Sequence, residues 1–248
     1  MRRSRIYCEQ AIQLGQSMLL DSRNSHYLLH VLRVKKNQSL VLFDGHGSDY
    51  LATINKVSRK DVSVVINEKI ADVNTVCESP LHLTLAIAIS KGERMDWVMQ
   101  KATELGVNCI QPLITQRVDV KLNTERMAKK MGHWRGVVIG ACEQSGRSVL
   151  PELNLAEPIA SWVASDASDL KLVLRAHGNR LTTIADGIVK KPNSATILIG
   201  PEGGLDENEL SLAESSGFIA AGFGPRILRT ETAPIVALSL LQEKWGDF

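Results

Sequence analysis

Through the first third of the chain, apolar residues come in short runs separated by polar or glycine-containing turns. SLVLFDG (39–45), DYLATINKV (49–57) and DVSVVINEKI (61–70) are β-branched or apolar and predict strands. Ahead of them, Tyr27, Leu28, Val31, Leu32 and Val34 stand at near-helical spacing, with Ser22 or Asn24 placed to cap a helix over 22–34. A small β-barrel with one helix is expected. The pattern breaks across DVNTVCESP (72–80), where Pro80 punctuates the chain, and the boundary is set between residues 1–74 and 75–248.

Beyond Pro80 strands and helices alternate. HLTLAIAIS (82–90), CIQPLI (109–114), LKLVLRA (170–176), ATILIG (195–200) and GFIAAGF (217–223) read as strands. Helices fall near 94–106, 123–144, 157–164, 181–188, 206–216 and 231–243; the first buries Met95, Val98, Met99, Ala102 and Leu105 on one face and stops at Gly106. Such alternation predicts an α/β domain with a mostly parallel sheet covered on both faces, whose ligands bind at the carboxyl ends of the strands.

Composition narrows the class. With 248 residues and 44% hydrophobic content the chain can build a sizeable core, and it has neither an apolar run of membrane-spanning length nor a signal-peptide pattern, so a cytoplasmic protein is expected. Four separated cysteines (Cys8, Cys77, Cys109, Cys142) form no CxxC pair, and six scattered histidines form no HExxH, which argues against a metal site or disulfide framework. Charge is divided unevenly. Residues 1–75 hold 11 Lys and Arg against 7 Asp and Glu, whereas the rest holds 18 against 20. A basic first part suits contact with nucleic acid and is equally an ordinary soluble surface.

Two loops leave the ends of late strands: GPEGG (200–204) and GFGPRILRTETAP (222–234). Asp206, with Glu209 three residues on, makes a capping box that starts a helix just after the first loop. The GxxxxGK[ST] phosphate loop is absent, and Gly222-Phe223-Gly224 has Ile227 where the third glycine of a dinucleotide fingerprint belongs. A ligand held by backbone contacts and an apolar shelf is what remains.

GPEGGLDENEL (200–210), GFGPRILRTETAPIVALSLLQ (222–242), ACEQSGR (141–147), KGERMDWVMQKATELGV (91–107), HYLLHVLRV (26–34) and FDGHGSDYLATI (43–54) together resemble the RsmE family of ribosomal RNA methyltransferases of the SPOUT class. The resemblance implies a PUA-like RNA-binding β-barrel followed by an α/β domain with a deep trefoil knot, a homodimer, and S-adenosylmethionine as cofactor. It also implies methylation of N3 of uridine 1498 in 16S rRNA of the small ribosomal subunit. Leu198, Gly200, Pro201, Glu202, Gly203, Gly222, Gly224, Ile227, Leu228 and Thr232 would then line the cofactor pocket. The alternative is an RNA-binding protein with a catalytically silent adenosylmethionine domain.

A uridine N3 is a poor nucleophile until its proton is lost, so the site needs a cation for the developing charge and a base. Arg229 and Glu231 are the candidates for these roles under the resemblance; taken alone they are also compatible with a helix start, Thr230 capping and Glu231 complementing the dipole. Glu202 is a further catalytic candidate, equally able to satisfy local backbone N–H groups. Arg5, Arg33 and Lys35 in the first part, and Gln144 and Arg147 in CEQSGR, are candidates for RNA contact. Aromatic residues make up only 4% of the chain, which favours reading RNA by shape and charge over base stacking.

Overall fold

The computed structural model describes residues 3–70, 77–117 and 124–248. Contacts divide the chain into two compact units, residues 1–78 with 142–150, and residues 79–141 with 151–248. The expected boundary at 74/75 lies outside the described residues. Return of 142–150 to the first unit is a feature that the hydrophobic pattern does not carry.

In the first unit, strands β1 (Arg5–Tyr7) and β2 (Ser17–Leu19) precede a short helix α1 (Ser22–His26) and a π-helical turn at Tyr27–Val31; β3 (Ser39–Phe43), β4 (Asp49–Val57) and β5 (Val62–Ile70) follow. The sheet order is β1-β3-β4-β5-β2, with β1 parallel to β3 and the other pairs antiparallel. Alternate residues of β3 to β5 turn inward, so Leu40, Leu42, Ala52, Ile54, Val64 and Ile66 pack with Ile6, Leu20 and Leu28 in one core. The helix differs from the expected one. Asp21, rather than Ser22 or Asn24, is its cap, accepting from the Asn24 N–H at 2.7 Å, and the α-helix lasts five residues before the π-helical turn. Asn24 is instead buried, donating to the Tyr7 carbonyl at 2.8 Å.

Helix α2 (Arg94–Glu104) follows β6 (His82–Ala88), and β7 (Cys109–Ile114) leads to the long helix α3 (Thr124–Ser145). Two short strands, β8 (Glu152–Leu153) and β9 (Glu157–Pro158), and the single turn α4 (Ile159–Trp162) precede β10 (Leu170–Arg180) and α5 (Leu181–Asp186). The chain closes with β11 (Ser194–Ile199), α6 (Glu207–Ser215), β12 (Ile219–Gly222) and α7 (Thr232–Trp245). Among the described residues the second sheet runs β12-β10-β11-β6-β7-β8, with β9 also on β7, and every pairing is parallel. Its central strands are buried on both faces. Leu83, Leu85, Ile87, Ile197 and Ile199 face α2 and α7, while Ala86, Val173 and Leu198 face Leu205, Leu210 and Phe218 around α6. Gly106 ends α2 at φ +80°, as its position predicts; Leu105 packs partly buried against the same core as Met95, Val98, Met99 and Ala102, and Thr103 is buried as well.

Cys8, Cys109 and Cys142 are buried free thiols and Cys77 is partly exposed. Burial pushes the Cys109 thiol up to about 11 and that of Cys142 to about 12. Among the described residues, no helix is long and apolar enough to cross a membrane.

Candidate active site

The carboxyl ends of β11 and β12 open into a cavity of about 360 Å³ within the second unit. The GPEGG loop with Leu205 forms one wall, residues 221–224 and 226–228 the other, and Leu174, Arg175, Thr230 and Ala233 complete the lining. Each wall is fixed by a local device. At the end of the first loop, Glu209 N–H donates to Asp206 at 2.8 Å while the Glu209 carboxylate accepts from Asp206 N–H at 2.9 Å, the capping box expected from sequence. The other oxygen of buried Glu209 accepts from the Gln116 N–H at 2.7 Å. One carboxylate thereby anchors the start of α6 to the chain after β7.

Glycine is required where the backbones meet. A Cβ on Gly200 would stand 2.8 Å from the Leu205 nitrogen, and one on Gly222 only 2.6 Å from the Gly178 carbonyl oxygen. Gly204 and Gly224 have φ of +72° and +99°, the left-handed region that favours glycine. These positions give the pocket backbone walls. The Gly203 carbonyl accepts from Arg117 Nη1 at 2.7 Å, so the loop is gripped from outside as well.

A second cavity of about 350 Å³ shares Glu202, Ile227, Leu228 and Thr230 with the first and adds Arg94, Arg229 and Glu231. In it, Arg94 is hydrogen-bonded to Glu202 and its Nε stands 3.9 Å from Glu231; Arg229 Nη1 lies 3.9 Å from the other Glu231 oxygen. Glu231 is the N-cap residue of α7 but makes no side-chain cap bond, and buried Thr230 makes none to that helix either. Thr230 therefore does not cap the helix, while Glu231 at the N-cap stands where an acidic side chain complements the helix dipole. Helix start is secured by the Arg229 carbonyl, which accepts from Thr232 and Ala233 N–H at 2.9 Å each.

Of the residues expected at the cofactor pocket, Gly200, Pro201, Glu202, Gly203, Gly222, Gly224, Ile227 and Leu228 line one cavity. Leu198 and Thr232 do not. Strand alternation sends Leu198 into the core under α6 and leaves its neighbour Ile199 at the cavity, while Thr232 points to solvent and Ala233 takes the lining position. Ile227 is 87% exposed, an apolar side chain standing at the cavity mouth. Sequence reasoning missed Arg94, Arg117 and Arg175. Arg94 stood within KGERMDW, but nothing in that segment alone says which carboxylates it meets.

The basic candidates separate into two groups. Arg33 and Lys35 are exposed, Arg33 at φ +49°. Arg5 and Arg147 are turned inward: Arg5 bonds Asp49 and the Ser148 hydroxyl, and Arg147 donates to Glu78 Oε2 at 2.6 Å with its side chain 3% exposed. Their charge is matched by carboxylates of their own unit. Gln144 is exposed, whereas its neighbour Glu143 accepts from the Tyr7 N–H at 3.1 Å. Burial raises the Glu143 carboxyl above its usual range, against the lowering effect of that bond and of Arg23.

The class is that of the RNA methyltransferases: the RNA methyltransferase domain model matches residues 77–242, the parallel sheet with its glycine loops, and the RNA methyltransferase PUA domain model matches residues 20–67 in the first unit. The chain belongs to the RsmE family of ribosomal RNA small subunit methyltransferases. It is 35% identical to ribosomal RNA small subunit methyltransferase E of Buchnera aphidicola subsp. Schizaphis graminum, covering 98% of this chain and 97% of that one. The structure of ribosomal RNA small subunit methyltransferase E from Neisseria gonorrhoeae bound to S-adenosyl methionine matches with a TM-score of 0.89 at 36% identity, over 100% of both chains. A Legionella pneumophila structure in complex with the bound cofactor SAM matches at 44% identity and a TM-score of 0.93, again over 100% of both.

Proposed function

We propose that the protein is an S-adenosylmethionine-dependent methyltransferase that methylates N3 of uridine 1498 in 16S rRNA of the small ribosomal subunit. The observation that carries this reading is the adjacency of two cavities: Glu202, Ile227, Leu228 and Thr230 line both a glycine-walled pocket and a compartment holding Arg229 and Glu231. The first is large enough for a cofactor of this size and offers backbone and apolar surface, with Glu202 the carboxylate on its lining. S-adenosylmethionine, when bound, supplies a methyl group already activated by its sulfonium.

The chain's residues are left with binding, orientation and a proton. Gly200, Gly203 and the 222–228 segment would hold the adenosyl part by backbone contacts, with Leu228 and Ile227 against the ring, and Glu202 would face the positive sulfur. Arg229, its side chain 81% exposed, can reach a uracil brought from solvent and stabilise the negative charge that develops as N3 loses its proton. Glu231, 21% exposed and held 3.9 Å from both Arg94 and Arg229, would orient the base or accept that proton. Holding the reacting atoms in line is then the main catalytic contribution.

The β-barrel unit would supply RNA affinity through exposed cations, Arg33 and Lys35 among them, acting on phosphates. Under the same reading the second unit carries the trefoil knot and the protein works as a cytoplasmic homodimer. The test is single-turnover methylation of unmodified small subunits by Arg229→Ala and Glu231→Gln. A loss of about a hundredfold or more with cofactor affinity retained is expected; full-rate methylation by Arg229→Ala would remove its assigned role.

A further inference from the structure

Arg94 is the first residue of α2, at the positive end of the helix dipole, where a cation is locally disfavoured. Its surroundings explain the placement. The guanidinium is bonded to Glu202 of the GPEGG loop and stands 3.9 Å from Glu231 at the start of α7, so one side chain touches both walls of the proposed reaction compartment. Those two carboxylates belong to different elements, one after β11 and one before α7, and in the second cavity Arg94 lies against both of them. Two ionised carboxylates facing one compartment repel each other and spread apart unless a cation lies between them.

We infer that Arg94 is a positioning residue that couples the cofactor loop to the reacting carboxylate, holding Glu202 in the pocket wall and Glu231 at the uracil. This rests on the proposed function and adds a residue to it. Arginine suits the role because its planar fork can serve two acceptors at once, which the single ammonium of lysine does less well. Support from Arg117 on the Gly203 carbonyl keeps the loop backbone in place independently, so loss of Arg94 should release the Glu202 and Glu231 side chains without collapsing the loop. Arg94 is about half exposed, which leaves the core intact when it is replaced.

The experiment compares the unaltered chain with Arg94→Met, Arg94→Lys, Glu202→Gln and the Arg94→Met/Glu202→Gln double variant. It measures S-adenosylmethionine affinity by calorimetry and single-turnover methylation of small ribosomal subunits at saturating cofactor. Arg94→Met should weaken cofactor binding by about fivefold and slow the chemical step by about fiftyfold, with Arg94→Lys recovering part of both. In the Glu202→Gln background the same change should cost cofactor affinity markedly less, because the two side chains act as a pair. The coupling and the partial rescue are readouts that a merely structural role would not move. An active unaltered chain whose Arg94→Met variant stays within twofold in both measurements, or whose two losses in affinity simply multiply, overturns the inference alone. An unaltered chain that neither binds the cofactor nor methylates overturns the reading beneath it.

Discussion

The guanidinium of Arg5 closes on the carboxylate of Asp49, the carboxylate only 3% exposed, with the Ser148 hydroxyl donating to the same carboxylate at 2.6 Å and the Phe43 ring 5.0 Å beneath the cation. Three chain segments far apart in sequence meet there. A buried ion pair of this kind says little about net stability when intact, but removing one member strands the other without solvent. Arg5→Ala is therefore expected to destabilise the first unit by about 3–5 kcal/mol in urea unfolding. A change below about 1 kcal/mol would show that Asp49 is solvated by other means.

Arg33 and Lys35 make the opposite case, since both are exposed. Replacing the two together with alanine should leave urea unfolding unchanged, weaken binding to rRNA and lower the slope of log affinity against log salt by about 1 to 2. Cofactor affinity should not move. If RNA affinity and its salt dependence both stay the same, the barrel is removed from the account of RNA binding.

Much of this was legible in the sequence, and the reasons differ by element. The Asp206–Glu209 capping box, the stop at Gly106 and the core strands at 82–90, 109–114 and 195–200 follow from local spacing and fell within a residue or two of the observed ends, whereas β10 runs four residues beyond the expected 170–176. What was not legible depends on long-range pairing. β1 and β2 are three-residue strands whose identity comes from the partners they find, β3 and β5. Arg5 and Arg147 read as surface cations because their acceptors, Asp49 and Glu78, lie 44 and 69 residues away. Arg94 was hidden for the same reason, its partner Glu202 being 108 residues distant.

Gly222 and Gly224 are two residues apart and should respond differently to alanine. At Gly222 the new methyl would meet the Gly178 backbone, which cannot swing aside, so Gly222→Ala should separate β10 from β12, lower stability by about 2–3 kcal/mol and abolish cofactor binding. At Gly224 there is open space and only the positive φ resists, so the cost should be about 1 kcal/mol with weakened but measurable binding. Equal effects at the two sites in thermal unfolding and calorimetry would contradict this account of the pocket wall.

The buried thiols give a pH prediction. With the Cys109 and Cys142 thiols pushed up to about 11 and about 12 by burial, both stay protonated at pH 8, so iodoacetamide should label partly exposed Cys77 well before either. The sign of the linkage follows from raised folded values. Their contribution to stability is fully present below the ordinary thiol value of 9.0 and is lost as pH rises toward 11 and 12. Unfolding free energy should thus fall above about pH 9, and less steeply in a Cys109→Ser variant corrected for its own loss of packing. Early modification of Cys142 in the native protein would be inconsistent with this environment.

Methyl transfer to the target nucleoside tests the central claim most directly. Unmodified small ribosomal subunits are incubated with the protein and isotopically labelled S-adenosylmethionine, and the rRNA is digested and mapped by mass spectrometry. The account predicts one labelled product, N3-methyluridine at position 1498. Label at another base or atom, or cofactor binding with no methylation, would contradict it.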